Sequence, residues 1–280
     1  SDVLSQSDES AIAAADAAVV VVGLTAADEG ENIGSMGGDR DSLGLSAAHD
    51  ALVSAVAKLN PKTVVVLEGG SAITMPWIDD VQGVVMAWYP GMEGGHALAE
   101  IVFGDVNPSG RLPITFAVDA QQLPPFDHDS HAVTYGYFHG YRLLDHDGNT
   151  PLFSFGHGLS YTSFSYGTIA LASDAVAPDG SLSVTVELKN TGGREGHEIV
   201  QLYVGMLNSK VERAERELKA FKRVTLAPGE TQAATLTVAA RDLAYYDVAA
   251  KAWTVEAGSY RVEVGSSAGS LPLMATFSVK

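Results

Sequence analysis

The sequence predicts an α/β module with a mostly parallel sheet, followed by an all-β sandwich. Three observations carry this reading. Up to about residue 103, β-branched apolar runs alternate with stretches of helical periodicity, the pattern of parallel strands joined by crossover helices. From Phe164 onward, short alternating runs follow one another between turns rich in Gly, Pro and Asn. The charge changes near the same place: residues 1–164 hold 5 basic and 21 acidic side chains, and residues 165–280 hold 12 and 13. At ~150 residues per domain, a chain of 280 also suits about two domains.

The first module reads helix, then strand. Asp8–Ala17 is Ala-rich, and Ser7 or Asp8 can cap it. Ala18–Val22 is a continuous apolar run, which suits a strand buried on both faces. A polar loop follows from Thr25 to Leu45, with glycines at 30, 34, 37, 38 and 44. Over Ser46–Leu59 the apolar Leu52, Val53, Val56 and Leu59 share one helical face, and Asn60-Pro61 ends the helix. Thr63–Leu67 and Gly83–Tyr89 are the second and third strands, closed by Glu68-Gly69-Gly70 and Pro90-Gly91; a helix over about Met92–Phe103 comes next. Ligands of such sheets bind beyond the carboxyl ends of the strands. Three strands are few for an independent α/β domain and the chain starts abruptly, so a fragment or one chain of a cleaved protein is expected.

Five prolines (108, 113, 124, 125, 151) and histidines that include 128, 131, 139 and 146 mark residues 105–160 as a long ordered connector with little regular structure. Beyond it, strands are predicted over Ser181–Leu188, Glu198–Val204, Thr231–Val238, Trp253–Val255, Tyr260–Val264 and Met274–Val279. The net charge of −17 disfavours binding to a phosphate backbone or an anionic membrane surface. The longest apolar run, Ala17–Leu24, is far short of the ~20 residues of a membrane span. With no cysteine there is no disulfide, thiolate metal site or cysteine nucleophile, and no His pair has zinc-site spacing.

The sharpest chemical feature is Asp28-Glu29-Gly30-Glu31, three carboxylates in four residues just after a buried strand. Carboxylates that converge in a partly closed cleft raise one another's pKa, as a general acid requires. A solvated acidic loop is the simpler alternative. In Gly38-Asp39-Arg40-Asp41, Arg40 can orient a carboxylate or a hydroxyl-bearing ligand, or form an ordinary ion pair with a flanking Asp. Glu68 and Glu93 stand at strand-end turns, where catalysis and helix capping compete. Trp88, Tyr89, Phe126, Tyr135, Tyr137, Phe138 and Tyr141 are an aromatic set suited to packing on sugar rings or to filling a core. A Walker loop, a dinucleotide fingerprint and a Gly-x-Ser-x-Gly elbow are all missing, so a flavodoxin-like nucleotide binder is disfavoured.

Taken together, these motifs resemble glycoside hydrolase family 3. The resemblance rests on Asp28-Glu29-Gly30 ahead of Gly38-Asp39-Arg40, on Gly69-Gly70-Ser71-Ala72-Ile73, on Ala87-Trp88-Tyr89-Pro90-Gly91-Met92-Glu93-Gly94-Gly95 and on Gly104 to Pro113. It continues through Tyr137 to Arg142, Phe153 to Tyr161, Glu195 to Val204 and Arg216 to Phe221, so it spans nearly the whole chain.

The resemblance implies an enzyme of three domains: a TIM-like barrel, an α/β sandwich and a fibronectin type III-like module. On that reading residues 1–120 are the second half of the α/β sandwich, 121–163 an ordered connector and 164–280 the fibronectin-like β-sandwich. It implies a retaining exo-acting β-glycosidase, most commonly a β-glucosidase, with no cofactor and no metal. Glu29 is then the acid/base residue, with Glu31 in reserve. Asp39, Arg40 and Trp88 are expected to support the loop or the substrate. The nucleophilic aspartate matches no position here and is expected on an N-terminal segment carrying the barrel. Neither nucleic acid nor membrane is expected as a partner. No motif encodes an oligomeric state or a compartment, although export is compatible with such enzymes. The alternative from another class is a non-catalytic carbohydrate-binding or scaffold fragment.

Overall fold

The computed structural model describes residues 3–29, 40, 42–125, 127 and 130–280. The chain divides into two compact units, one formed by residues 1–102 and 116–136, the other by 103–115 and 137–280.

The first unit opens with α1 (Gln6–Ala14), β1 (Ala18–Gly23), the short α2 (Ala26–Glu29) and α3 (Ala47–Leu59). Then come β2 (Thr63–Glu68), β3 (Gly83–Met86) and α4 (Gly94–Val102). Helix α1 starts earlier than expected. Its cap is Ser5, whose hydroxyl accepts the Asp8 N–H while the Asp8 carboxylate accepts the Ser5 N–H, both at 3.2 Å. Asp8 is thus the third helical residue of a reciprocal capping box, and neither it nor Ser7 is the cap itself. The buried Asn60 ties the other end of α1 to α3, donating to the carbonyls of Ile12 and Ala15 at 3.0 and 2.9 Å. Both lie at the helix end, where carbonyls run short of internal partners; the Ile12 carbonyl also accepts the Ala15 N–H at 3.3 Å.

The sheet is parallel in the order β1-β2-β3, with Val20 opposite Val65 and Val66 opposite Val85. Val53 of α3 and Val65, Val66 and Leu67 of β2 are all at most 1 % exposed and form the core of this unit. Strand β1 corrects the expectation of burial on both faces: Val20 and Val22 are buried, whereas Val19 and Val21 are 51 % and 57 % exposed. Among the described residues, only one face of this strand is covered.

The second unit is a sandwich. Its three-stranded sheet runs β4 (Phe164–Leu171), β6 (Ser181–Asn190), β9 (Thr231–Ala239). Its five-stranded sheet has the order β5 (Ala175–Val176), β13 (Leu273–Val279), β12 (Gly258–Gly265), β7 (Gly196–Met206), β8 (Glu217–Leu226). A hairpin of β10 (Tyr245–Asp247) and β11 (Ala252–Thr254) stands apart. Alternation places Leu182, Val184, Val186 and Leu188 of β6 on the inner face, against Val200, Leu202 and Val204 of β7 and Val262 and Val264 of β12 in one hydrophobic core.

Several elements escaped the sequence pattern, among them α2, β4, β5 and β10, and two of the misses have a plain cause. Strand β8 lies at an edge, and its Lys219, Lys222 and Arg223 break the apolar alternation, as charges on edge strands commonly do. Helix α5 (Tyr141–Asp147) interrupts the connector; at seven residues it is too short to show a period, and it ends on Gly148 at φ 68°. The carboxylate of α5 residue Asp145 accepts two hydrogen bonds from Arg216, at 2.9 and 2.6 Å.

The Pro- and Gly-rich stretch before Thr115 is anchored inside this second unit. Asn107 donates to the Glu195 carbonyl at 2.9 Å and accepts from the Tyr161 N–H at 2.7 Å. Arg111 reaches Glu198 of β7 at 3.1 Å, and Tyr166 of β4 donates to the other oxygen of that carboxylate at 2.9 Å. Burial pushes the Glu198 carboxyl above the usual range, against the opposing pull of Arg111 and Tyr166.

Candidate active site

Three strand ends of the first unit meet at one carboxylate. After β1 the chain turns through Thr25 into α2. The Thr25 carbonyl accepts the N–H groups of Asp28 and Glu29 at 3.0 and 2.9 Å. Asp28 closes the turn, since its Oδ2 accepts the Thr25 N–H at 2.7 Å and the Thr25 hydroxyl at 2.6 Å. The Thr25 hydroxyl first, and its N–H second, hold the Asp28 carboxyl below its ordinary value. Asp28 is therefore committed to the turn, and the next side chain, Glu29, is left to project.

Glu29 Oε1 accepts two hydrogen bonds. One comes from the Gly70 N–H in the turn after β2, at 2.7 Å; the other comes from the Tyr89 hydroxyl in the turn after β3, at 3.0 Å. Among the described residues, Oε2 has no hydrogen-bond partner. The approach at Gly70 is close: a Cβ there would stand 3.2 Å from the Tyr89 ring and 3.4 Å from Oε1 of Glu29. Partial burial, and after it the bond to Glu29, raise the Tyr89 phenol above its ordinary pKa, so the hydroxyl keeps its proton and donates.

Arg40 fixes the other side of the loop. Its guanidinium donates to the Ser71 hydroxyl at 2.6 Å, to the Ser42 carbonyl at 3.1 Å and to the Gly44 carbonyl at 3.3 Å. It thereby joins its own loop to the residue after Gly70. Trp88 is half-buried and holds φ at 56°, a strained value for a bulky side chain. Its carbonyl accepts the Gly69 N–H at 3.3 Å, which couples the turns after β2 and β3 directly beside Tyr89.

Glu29, Arg40 and Trp88 thus sit on adjoining loops at the carboxyl ends of the strands. Asp39, a candidate supporting residue, and Glu31, the reserve acid, lie outside the described residues, as do Asp41, Phe126 and His128. Glu93 does not join the cluster; its carboxylate pairs with His96 at 3.0 Å. Among the described residues, no three His, Asp or Glu side chains are grouped to hold a metal ion. The sequence marks the turns that hold Gly70 and Tyr89, and places Tyr89 among the candidate aromatics, but it does not name either as a donor to Glu29. Gly70 follows the buried β2 and Tyr89 the half-buried β3 by a few residues, and that shared position was the available signal.

Residues 2–161 match the glycosyl hydrolase family 3 C-terminal domain, and residues 198–268 match the fibronectin type III-like domain. The chain belongs to glycosyl hydrolase family 3. Among curated family relatives, thermostable β-glucosidase B of Acetivibrio thermocellus is 42 % identical over 268 residues, covering 94 % of this chain and 35 % of the relative. A β-glucosidase of Rhizobium radiobacter is 44 % identical over 239 residues, covering 82 % of this chain and 29 % of the relative. The crystal structure of β-glucosidase from Kluyveromyces marxianus in complex with glucose superposes with a TM-score of 0.89 at 35 % identity, covering 98 % of this chain and 33 % of that one. The chain spans about a third of the length of the curated relatives it matches. The family assignment accounts for the order of architectures here, a parallel α/β unit leading into a fibronectin-like sandwich.

Proposed function

We propose that the protein to which this chain contributes is a retaining, exo-acting β-glucosidase, with Glu29 as its acid/base residue. The observation that carries this reading is the convergence of three strand-end loops on Glu29: Gly70 and Tyr89 both donate to Oε1, while Oε2 has no partner among the described residues. A carboxylate held by one oxygen keeps the other for a proton in transit. The reaction then needs a second carboxylate, and an aspartate from a TIM-like barrel segment outside this chain supplies it. In the first step that aspartate attacks the anomeric carbon while Glu29 protonates the departing glycosidic oxygen. In the second, Glu29 takes a proton from water, and the oxygen of that water displaces the aspartate from the glycosyl intermediate. The two carboxyl groups of a retaining pair stand ~5–5.5 Å apart. Arg40 serves as a positioning residue through Ser71, and Asp39 and Trp88 complete the support of the loop. No metal or organic cofactor enters this scheme. The names of the relatives support the choice of a β-linked glucoside.

The test uses the complete protein and two aryl glucosides. Glu29→Gln is expected to lower kcat on a poor leaving group by ~10²–10⁴-fold. The loss should be much smaller on an aglycone that departs without protonation. Glu31→Gln is expected to retain activity. The reverse pattern, Glu29→Gln active and Glu31→Gln dead, overturns the assignment. The 280-residue chain alone is expected to show no turnover, because it lacks the attacking carboxylate.

A further inference from the structure

The second unit carries a cleft of about 530 Å³ at one end of its sandwich, a volume in the range of small-molecule sites. We propose that this cleft binds a neutral saccharide. Its walls include the half-buried rings of Phe164 and Tyr166 on β4, its deepest lining is the Arg111–Glu198 ion pair, and Ser163 and Ser270 lie exposed at its edge.

The chemistry of this lining selects the ligand. Arg111 and Glu198 stand 3.1 Å apart with side chains only 9 % and 4 % exposed, so both charges are desolvated and cancel. An incoming anion meets the Glu198 carboxylate, and an incoming cation meets the Arg111 guanidinium; neither gains a net attraction. A purely apolar ligand covers this pair without offering it a hydrogen bond, which costs free energy. A ligand rich in hydroxyls does better. Glu198 is already engaged by Tyr166, by Arg111 and by the Ile199 N–H, whereas the buried Arg111 Nε has no hydrogen-bond partner among the described residues and can donate to a ligand hydroxyl. The Ser163 and Ser270 hydroxyls have no hydrogen-bond partner among the described residues and can both donate and accept. Phe164 and Tyr166 pack against the sandwich core, and the part of each ring left uncovered suits the apolar C–H face of a pyranose. Hydroxyls, neutrality and an apolar face together describe a sugar. Glu29 has no part in this argument, so the proposed catalytic role and this site stand or fall separately.

Titration of the 280-residue chain with cellobiose, followed by NMR, tests the proposal. The expected result is saturable binding with a Kd of about 1 mM, with shifts at residues lining the cleft. Ser163→Trp and Ser270→Trp each place an indole in the cleft and are expected to weaken binding by at least about tenfold without lowering Tm. Ser163→Val, which removes the hydroxyl with little added bulk, is expected to weaken it several-fold, so the test survives if a Trp variant fails to fold. Glu29→Gln should bind as the parent does. Three results each overturn the proposal: an absence of saturation, binding indifferent to the cleft variants, and sulfate bound more tightly than cellobiose.

Discussion

The two units use the same pair of side chains, a glutamate accepting from a tyrosine hydroxyl, to opposite ends. In the second unit Tyr166 donates to Glu198 at 2.9 Å; in the first, Tyr89 donates to Glu29 at 3.0 Å. The geometry is nearly the same and the surroundings are not. Glu198 is buried to 4 % of its side-chain surface, and a guanidinium takes up its second oxygen. Glu29 is half-buried, its other donor is a backbone N–H, and its second oxygen is unengaged among the described residues. A carboxylate with both oxygens committed in a desolvated site holds two strands and a loop together. One held by a single oxygen at strand ends remains available for chemistry. The environment, and not the residue pair, sets the task.

The largest expected effect comes from breaking the buried pair. Arg111→Met leaves the Glu198 charge without its counterion, and losses of ~3–5 kcal/mol are typical when one partner of a buried pair is removed. Urea unfolding of the second unit should show that loss, and adding Glu198→Gln should recover much of it. If Arg111→Met alone is as stable as the parent, the cluster does not hold the segment before Thr115 to the sandwich.

A smaller pair of changes addresses the contrast itself. Tyr166→Phe strips one donor from a buried carboxylate and is expected to cost ~1–3 kcal/mol of stability. Tyr89→Phe removes the matching donor from a solvated one; its stability should change by less than ~0.5 kcal/mol. In the complete enzyme, Tyr89→Phe should instead lower kcat about fivefold, the rate equivalent of ~1 kcal/mol. If the stability losses are equal, the distinction between the two sites does not hold.

How far the sequence reveals this contrast depends on the range of the interactions. The strands of the first unit are legible because runs such as Thr63–Leu67 end in glycine turns, and the site lies where those turns gather. Of the three carboxylates in Asp28-Glu29-Gly30-Glu31, the sequence names Glu29 with Glu31 in reserve; Glu31 lies outside the described residues, and a local detail sets Asp28 apart. Thr25 and Asp28 are spaced as a reciprocal turn, and the bonds between them remove Asp28 from the contest. The partners of Glu29 lie 41 and 60 residues away, and no periodicity within a strand reports them. Glu198 is hidden for the same reason: Tyr166 and Arg111 stand 32 and 87 residues from it. In the sandwich, β6 was plain because one face is buried, whereas the charges on β8 concealed an edge strand. Patterns of burial are written locally; pairings across a sheet are not.

The smallest expected effect concerns pH. His157 lies half-buried, stacked on Phe153 with ring centroids 5.2 Å apart, and its backbone carbonyl accepts the Leu112 N–H at 2.8 Å. Burial first, and the charge of Arg111 second, lower its pKa from the ordinary 6.5. In the window between the lowered native value and 6.5, the unfolded chain holds more protons than the folded one, so stability rises with pH there. The contribution is complete above 6.5 and is lost as pH falls through the native value. His157→Phe keeps a ring against Phe153 and removes the titration. The parent should therefore lose more Tm than the variant when both are taken from about pH 7.5 to about pH 5.5. Parallel curves would mean that His157 is as solvated in the folded chain as in the unfolded one, and that the loop beside Arg111 is less dry than the Glu198 pair it adjoins.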